Sequence, residues 1–197
     1  MLFIFDHHTG RFRCSFGAPP GAPLEMRALW QGHAYPAWTD QRLIEAYGVI
    51  CEAFGPVWIG ACFKRPAQGQ SAHYAGLALD MGQGMPGAKL AQVRRFCLNS
   101  PLFSYVEPGY RTPTWIHAEI SISPPCAPGR GYPFLRPGEA GTHVFVLQEL
   151  LGKRGFPCLL SGYFSQGTRA ALVKFQRSRG LPDHGFADGA LWNSLTT

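Results

Sequence analysis

The chain has 197 residues, of which 46% are hydrophobic, and a formal net charge of +6. This composition is that of a folded globular protein and argues against a disordered chain, and the length suits one moderate domain plus a small one. No apolar run approaches the roughly 20 residues that cross a bilayer, so we expect no membrane insertion. The basic residues are scattered rather than interleaved with aromatic residues, which disfavours nucleic acid and leaves other anionic partners open.

The opening residues predict a β-hairpin. Two β-patterned runs, Leu2 to Phe5 and Arg11 to Phe16, flank the turn residues Asp6 to Gly10. The first run lacks the basic region and the cleavage site of a secretory signal, so we expect no signal peptide in this sequence.

A helix and several short strands are predicted next. Asp40 to Phe54 places apolar residues at helical spacing, with Thr39 or Asp40 as a cap and Gly55-Pro56 as a stop. A second helix is predicted at residues 89–99. The predicted strands are Val57 to Phe63, Leu77 to Met81, Phe103 to Val106 and Thr114 to Ile122. The pattern indicates an α+β fold with a small antiparallel sheet and flanking helices.

The last third of the chain predicts a separate helical unit. Residues 124–140 hold five prolines and several glycines, which is typical of a linker. Three helices follow it: His143 to Leu151, Gln166 or Gly167 to Arg179, and Ala187 to Leu195. We therefore expect a first domain at 1–123, a Pro/Gly-rich linker at 124–140 and a small three-helix domain at 141–197.

The six cysteines form no C-x-x-C pair, which disfavours a cysteine zinc finger. Cys51 and Cys97 fall within helical patterns, where a buried free thiol is the simpler interpretation. A protein that works outside the cell can also carry disulfides, so the sequence leaves the disulfide state open.

Three residues form the pattern of a catalytic metal site. His73 and Asp80 lie seven positions apart around small residues, and His117 follows in a β-patterned run. Zinc held by two His and one carboxylate keeps a fourth position free for water, which indicates catalysis rather than scaffolding. Glu119 lies on the same face of the strand as His117, because side chains alternate along a strand. The simpler interpretation, ordinary partly buried histidines, must account for three residues together.

The run from 71 to 80 also resembles a known family motif. Its pattern S-x-H-x-x-G-x-A-x-D is that of the zinc D-Ala-D-Ala carboxypeptidases and their relatives among phage endolysins and murein endopeptidases. Every fixed position is matched, by Ser71, His73, Gly76, Ala78 and Asp80. The resemblance covers roughly residues 38–122 and includes the later Trp115-Ile116-His117. It implies that His73, Asp80 and His117 bind Zn²⁺ in a peptidoglycan peptidase.

The resemblance leaves the other catalytic roles less sharply defined. Many members carry an acid three residues before the last His, where this chain has Thr114. A branch with an acid two residues after that His favours Glu119 as the general base, with Glu107 as the reserve. Relatives place an Arg before the motif to hold the substrate. Arg65 is favoured because its guanidinium is a bidentate fork, whereas a one-residue shift would select Lys64.

Residues 141–197 resemble the peptidoglycan-binding domain family. The shared pattern comprises, in the family order, Val144, Leu147-Gln148, Leu151, Gly162-Tyr163-Phe164, Thr168, Ala171, Phe175-Gln176, Gly180-Leu181, Trp192 and Leu195. Such a module would tether the enzyme to an insoluble polymer and raise the local substrate concentration.

The sequence therefore predicts a monomeric zinc metallopeptidase that acts on bacterial peptidoglycan, in the cell wall or outside the cell, or encoded by a phage. The cleaved bond stays open between a D-Ala-D-Ala, a cross-link and a stem-peptide bond. A wall-binding protein with a degenerate catalytic domain is the main alternative, because Thr114 occupies the usual position of the base. A metal site that serves structure or signalling is a further alternative.

Overall fold

A computed structural model describes residues 1–15, 36–66, 68–120 and 131–197. These residues form two β-sheets and five helices, so the predicted α+β class is confirmed. Some residues of the predicted elements lie outside the described residues: Phe16, residues 121–123, the first part of the predicted linker (124–130) and Cys126. None of the helices in the described ranges is long and apolar enough to span a membrane.

The N-terminal sheet has the order β2-β1-β3. Strands β1 (Leu2–Asp6) and β2 (Arg11–Ser15) form the predicted hairpin, whose register pairs Phe5 with Phe12. Strand β3 (Ala37–Asp40) adds to β1 in parallel, which the sequence did not predict. Helix α1 (Gln41–Phe54) follows directly. Its predicted cap is confirmed, because the Asp40 carboxylate accepts a hydrogen bond from the Arg42 amide at 2.9 Å.

The second sheet is antiparallel and has the order β4-β5-β7-β6. Its strands are β4 (Ile59–Ala61), β5 (Ala78–Met81), β6 (Phe103–Val106) and β7 (Ile116–Ile120), and helix α2 (Gly87–Asn99) lies between β5 and β6 in the chain. All four strands fall within their predicted ranges. Strands β5 and β7 occupy the centre, with Asp80 paired directly opposite His117.

The C-terminal part contains helices α3 (Thr142–Lys153), α4 (Gln166–Ser178) and α5 (Gly189–Thr196). The buried Gln148 side chain connects α3 to the segment before α4. Its oxygen accepts from the amides of Ser161 and Gly162, and its nitrogen donates to Thr168 Oγ1 at 2.9 Å. A buried amide whose bonds are all made in this way fixes one arrangement of the helices.

One continuous apolar core runs through the N-terminal sheet, the second sheet and the C-terminal helices. The Phe145 ring of α3 is fully buried and lies against Phe3, Phe12 and Trp38. The described end of the predicted linker also packs: Tyr132 lies against Trp192. The five described cysteines, Cys14, Cys51, Cys62, Cys97 and Cys158, are free thiols.

Candidate metal site

Three side chains from two central strands and one turn converge on a single point. His73 lies in the turn before β5, Asp80 lies in β5 and His117 lies in β7. Asp80 Oδ1 is 3.1 Å from His73 Nε2 and 2.9 Å from His117 Nδ1. One ligand atom from each of the three residues lies within 4.8 Å of the other two. We call this group the His-Asp-His cluster.

The turn that carries His73 depends on a glycine. Gly76 has φ +69°, which L side chains rarely adopt, and a Cβ atom there would lie 2.7 Å from Thr39 Cα and even closer to the Trp38 carbonyl oxygen. The Gly76 carbonyl accepts a hydrogen bond from Thr39 Oγ1 at 2.9 Å. The small residue of the motif therefore lets the turn pack against β3, the strand that the sequence did not predict.

The orientation of the His73 ring is set by a main-chain carbonyl. Its Nδ1 lies 2.9 Å from the Cys62 carbonyl oxygen. A carbonyl can only accept, so Nδ1 carries the hydrogen and Nε2 faces Asp80. A ligand histidine is typically fixed in this way by a bond from its other ring nitrogen.

The electrostatics of the cluster favour a charged carboxylate beside charged imidazole. Burial alone would raise the pKa of Asp80, but hydrogen bonds from His117 and His73 and from Lys64 hold it well below its usual range. Burial alone would lower the pKa of His117, yet its hydrogen bonds to Asp80 and Glu119 raise it to about 9. At neutral pH His117 therefore carries a proton that a bound cation would displace.

Two further predicted residues join the cluster, and one lies elsewhere. Glu119 Oε1 is 3.2 Å from His117 Nε2, and Lys64 Nζ is 2.7 Å from Asp80 Oδ2. Arg65, the favoured substrate-binding cation, instead directs its guanidinium to Glu149 of α3, with an N–O distance of 2.8 Å. Both residues lie beyond β4, which ends at Ala61, and the chain there directs Lys64 to Asp80 and Arg65 to Glu149.

The reserve base, Glu107, accepts a hydrogen bond from Tyr105 at 2.7 Å. This bond raises the pKa of Tyr105 to about 12. The Tyr105 ring centroid lies 6.2 Å from that of His117, and the residue pairs with Glu119 across the sheet. Sequence reasoning did not identify Tyr105 as a neighbour of the site, because its position depends on the register between β6 and β7. Thr114 is exposed.

Comparison with known proteins identifies the C-terminal part. Residues 140–195 match the family model described as "Putative peptidoglycan binding domain", which confirms the resemblance of that region. A crystal structure of a peptidoglycan-binding protein from Clostridioides difficile in complex with glutamine hydroxamate is similar over part of its length. The identity is 30% over 32% of this chain and 40% of that chain, with a TM-score of 0.32. No curated protein shows a significant match. The resemblance of residues 38–122 to the zinc peptidases stays a prediction.

Proposed function

We propose that this protein is a zinc-dependent peptidase that hydrolyses peptidoglycan peptides and is held on the wall by its C-terminal helices. The observation that carries the proposal is the convergence of His73 Nε2 and His117 Nδ1 on Asp80 Oδ1, at 3.1 and 2.9 Å. The match of residues 140–195 to the peptidoglycan-binding model supports the wall as the place of action.

The donor set fits zinc. Two imidazole nitrogens and one carboxylate oxygen are the ligands of many catalytic zinc sites, and they leave a coordination position for water. In neutral His73 the lone pair of Nε2 would face a carboxylate oxygen of Asp80 at 3.1 Å. Two acceptors at this distance repel each other unless a proton or a cation lies between them. When bound, Zn²⁺ would supply a Lewis acid that polarises a carbonyl and makes water a nucleophile near neutral pH.

The neighbouring side chains have separate roles in this proposal. Glu119, beside His117, would accept the proton from the attacking water. Lys64 is half exposed and contacts the cluster through Asp80, so it would hold a carboxylate of the wall peptide. Arg65 takes no part in substrate binding here, since its guanidinium is engaged by Glu149.

The charge of the chain agrees with this substrate. A net charge of +6 favours binding to a polymer that carries carboxylates and phosphates. Wall attachment through the C-terminal helices would keep the His-Asp-His cluster close to its substrate.

Digestion of purified sacculi tests the proposal. The zinc-loaded protein should release peptide products that mass spectrometry can assign to one bond type. His117→Ala should lose both the zinc and the products, and Glu119→Gln should keep the zinc but lose at least about a hundredfold in rate. His8→Ala, which removes an exposed histidine in the turn between β1 and β2, is the matched control and should keep both the zinc and the products.

Each outcome has a distinct meaning. Equal digestion by wild type and Glu119→Gln would exclude Glu119 as the base. Zinc binding and co-sedimentation with sacculi without any product would favour the degenerate, wall-binding alternative. Absence of zinc binding would refute the proposed metal site.

A further inference from the structure

The turn that carries His73, residues 69–77, is bonded to the C-terminal part of the chain along its length. The Gly69 amide donates to the Thr196 carbonyl of α5 at 2.9 Å. The Ser71 amide donates to the Tyr132 hydroxyl at 2.9 Å, and that hydroxyl donates back to the Ser71 carbonyl at 3.1 Å. These bonds connect a turn of the candidate catalytic region to the two segments that flank residues 140–195, the region that matches a wall-binding family.

A further connection is centred on Glu149 of α3, which lies within residues 140–195. Its carboxylate accepts from the Tyr74 hydroxyl and from Arg65 Nε, the latter at 3.0 Å. Nη2 of Arg65 donates a hydrogen bond to the Pro36 carbonyl at 2.6 Å. The side chains of Arg65 and Glu149 are only 14% and 18% exposed, so this pair is less screened by solvent than the half-exposed Lys153 pair at 3.8 Å.

Tyr74 transmits this contact to the neighbouring ligand. Its hydroxyl is held by Glu149, and its carbonyl accepts from the Trp38 indole at 2.7 Å. Hydrogen bonds therefore hold both the side chain and the main chain of Tyr74, which is buried and directly follows His73 in the chain. Burial and the hydrogen bond to Glu149 raise the pKa of Tyr74, so the hydroxyl stays a donor.

We infer that the C-terminal helices do more than bind the wall: Glu149, through Tyr74, is a positioning residue that holds His73 in its ligating position. The inference rests on the proposed metal site. A ligand turn held from outside needs little rearrangement to bind metal. Loss of a partner bonded directly to a ligand typically weakens metal affinity by about 10- to 100-fold, and we expect the lower end of this range for a contact made through the neighbouring Tyr74.

Three substitutions remove this contact to different degrees. Tyr74→Phe removes one hydroxyl and keeps the ring. Glu149→Gln removes the charge that pairs with Arg65 and keeps an acceptor for Tyr74, whereas Glu149→Ala removes both. Glu139→Ala is the matched control, because its carboxylate caps a local turn through the Arg136 amide at 2.9 Å.

Two measurements on the full chain separate positioning from general stability. Competition with a chromophoric chelator should show a zinc dissociation constant about tenfold higher or more in Tyr74→Phe and Glu149→Ala, a smaller change in Glu149→Gln and less than a twofold change in the control. In the metal-free protein, hydrogen exchange at the Ala75 and Leu77 amides, which bond within the turn, should be faster in Glu149→Ala.

The outcomes distinguish this inference from the proposed function. Unchanged zinc affinity and unchanged exchange in Tyr74→Phe and Glu149→Ala would overturn the inference while leaving a zinc-binding wild type intact. Faster exchange in Glu149→Ala, combined with a wild-type protein that never binds zinc, would refute the metal site and, with it, the role of Glu149 toward a ligand.

Discussion

The buried ring of Phe145 joins the N-terminal sheet to the C-terminal helices, and its removal should destabilise both together. Its centroid lies 4.9 Å from that of Phe3, 4.5 Å from Phe12 and 5.4 Å from Trp38. A buried Phe→Ala substitution costs about 3–5 kcal/mol, and three aromatic neighbours place this site at the upper end, about 4–5 kcal/mol. For a chain of this size, the Tm should fall by roughly 8–20 °C.

Urea unfolding followed by both tryptophan fluorescence and far-UV circular dichroism measures this cost. The two signals should give one shared transition in wild type and in Phe145→Ala. Leu159→Ala, at a side chain that is 78% exposed, is the control and should change stability by less than about 0.5 kcal/mol. A loss below about 1 kcal/mol, or a variant in which one of two separate transitions keeps the wild-type midpoint, would refute the shared core.

Three further predictions concern pH and backbone. Burial lowers the pKa of His143 to about 3, so between about pH 6.5 and 3 only the unfolded chain binds this proton. The free energy of unfolding should therefore fall by up to about 1.4 kcal/mol per pH unit as the pH decreases. Urea unfolding from pH 7 to 4 should show a shallower loss of stability in His143→Phe. Gly76→Ala should cost about 2 kcal/mol more than Gly84→Ala in the same assay, because both positions have positive φ but only at Gly76 would the added Cβ overlap backbone atoms. Equal costs would contradict this packing. Zinc needs neutral His117, whose pKa is about 9 in the metal-free protein. Zinc affinity measured by calorimetry should therefore rise by up to about tenfold per pH unit from pH 6 to 8. A constant affinity would contradict this competition between zinc and the proton.

Two parts of the cluster could be predicted from the sequence because their geometry is local or strictly periodic, whereas the pairing of His117 with Asp80, 37 positions apart, was expected from the resemblance to the zinc peptidases. His73 and Asp80 lie on one turn and the strand that follows it, and Glu119 is two residues from His117 in a strand, where such residues share a face. The bounds of helix α1 could also be predicted from the sequence, because Asp40 and Gly55 mark its two ends.

Contacts between distant segments could not be read in this way. Strand β3 has four residues, and its partner β1 lies more than thirty positions earlier, so no local pattern marks it. The choice between Lys64 and Arg65 depends on Glu149, 84 positions beyond Arg65. No signal within residues 57–66 distinguishes the cation that faces Asp80 from the one that faces α3.

The packing of Phe145 against the N-terminal sheet has a consequence for the reach of the protein. A module on a flexible linker sweeps a volume, and its effective concentration falls as the linker lengthens. Here the helices that would hold the wall share a core with the sheets, so the distance from the attachment point to the His-Asp-His cluster is fixed. Under the proposed function, such a protein would cut only bonds at a fixed distance from its attachment point, and would have to dissociate from the wall before it could reach the next bond.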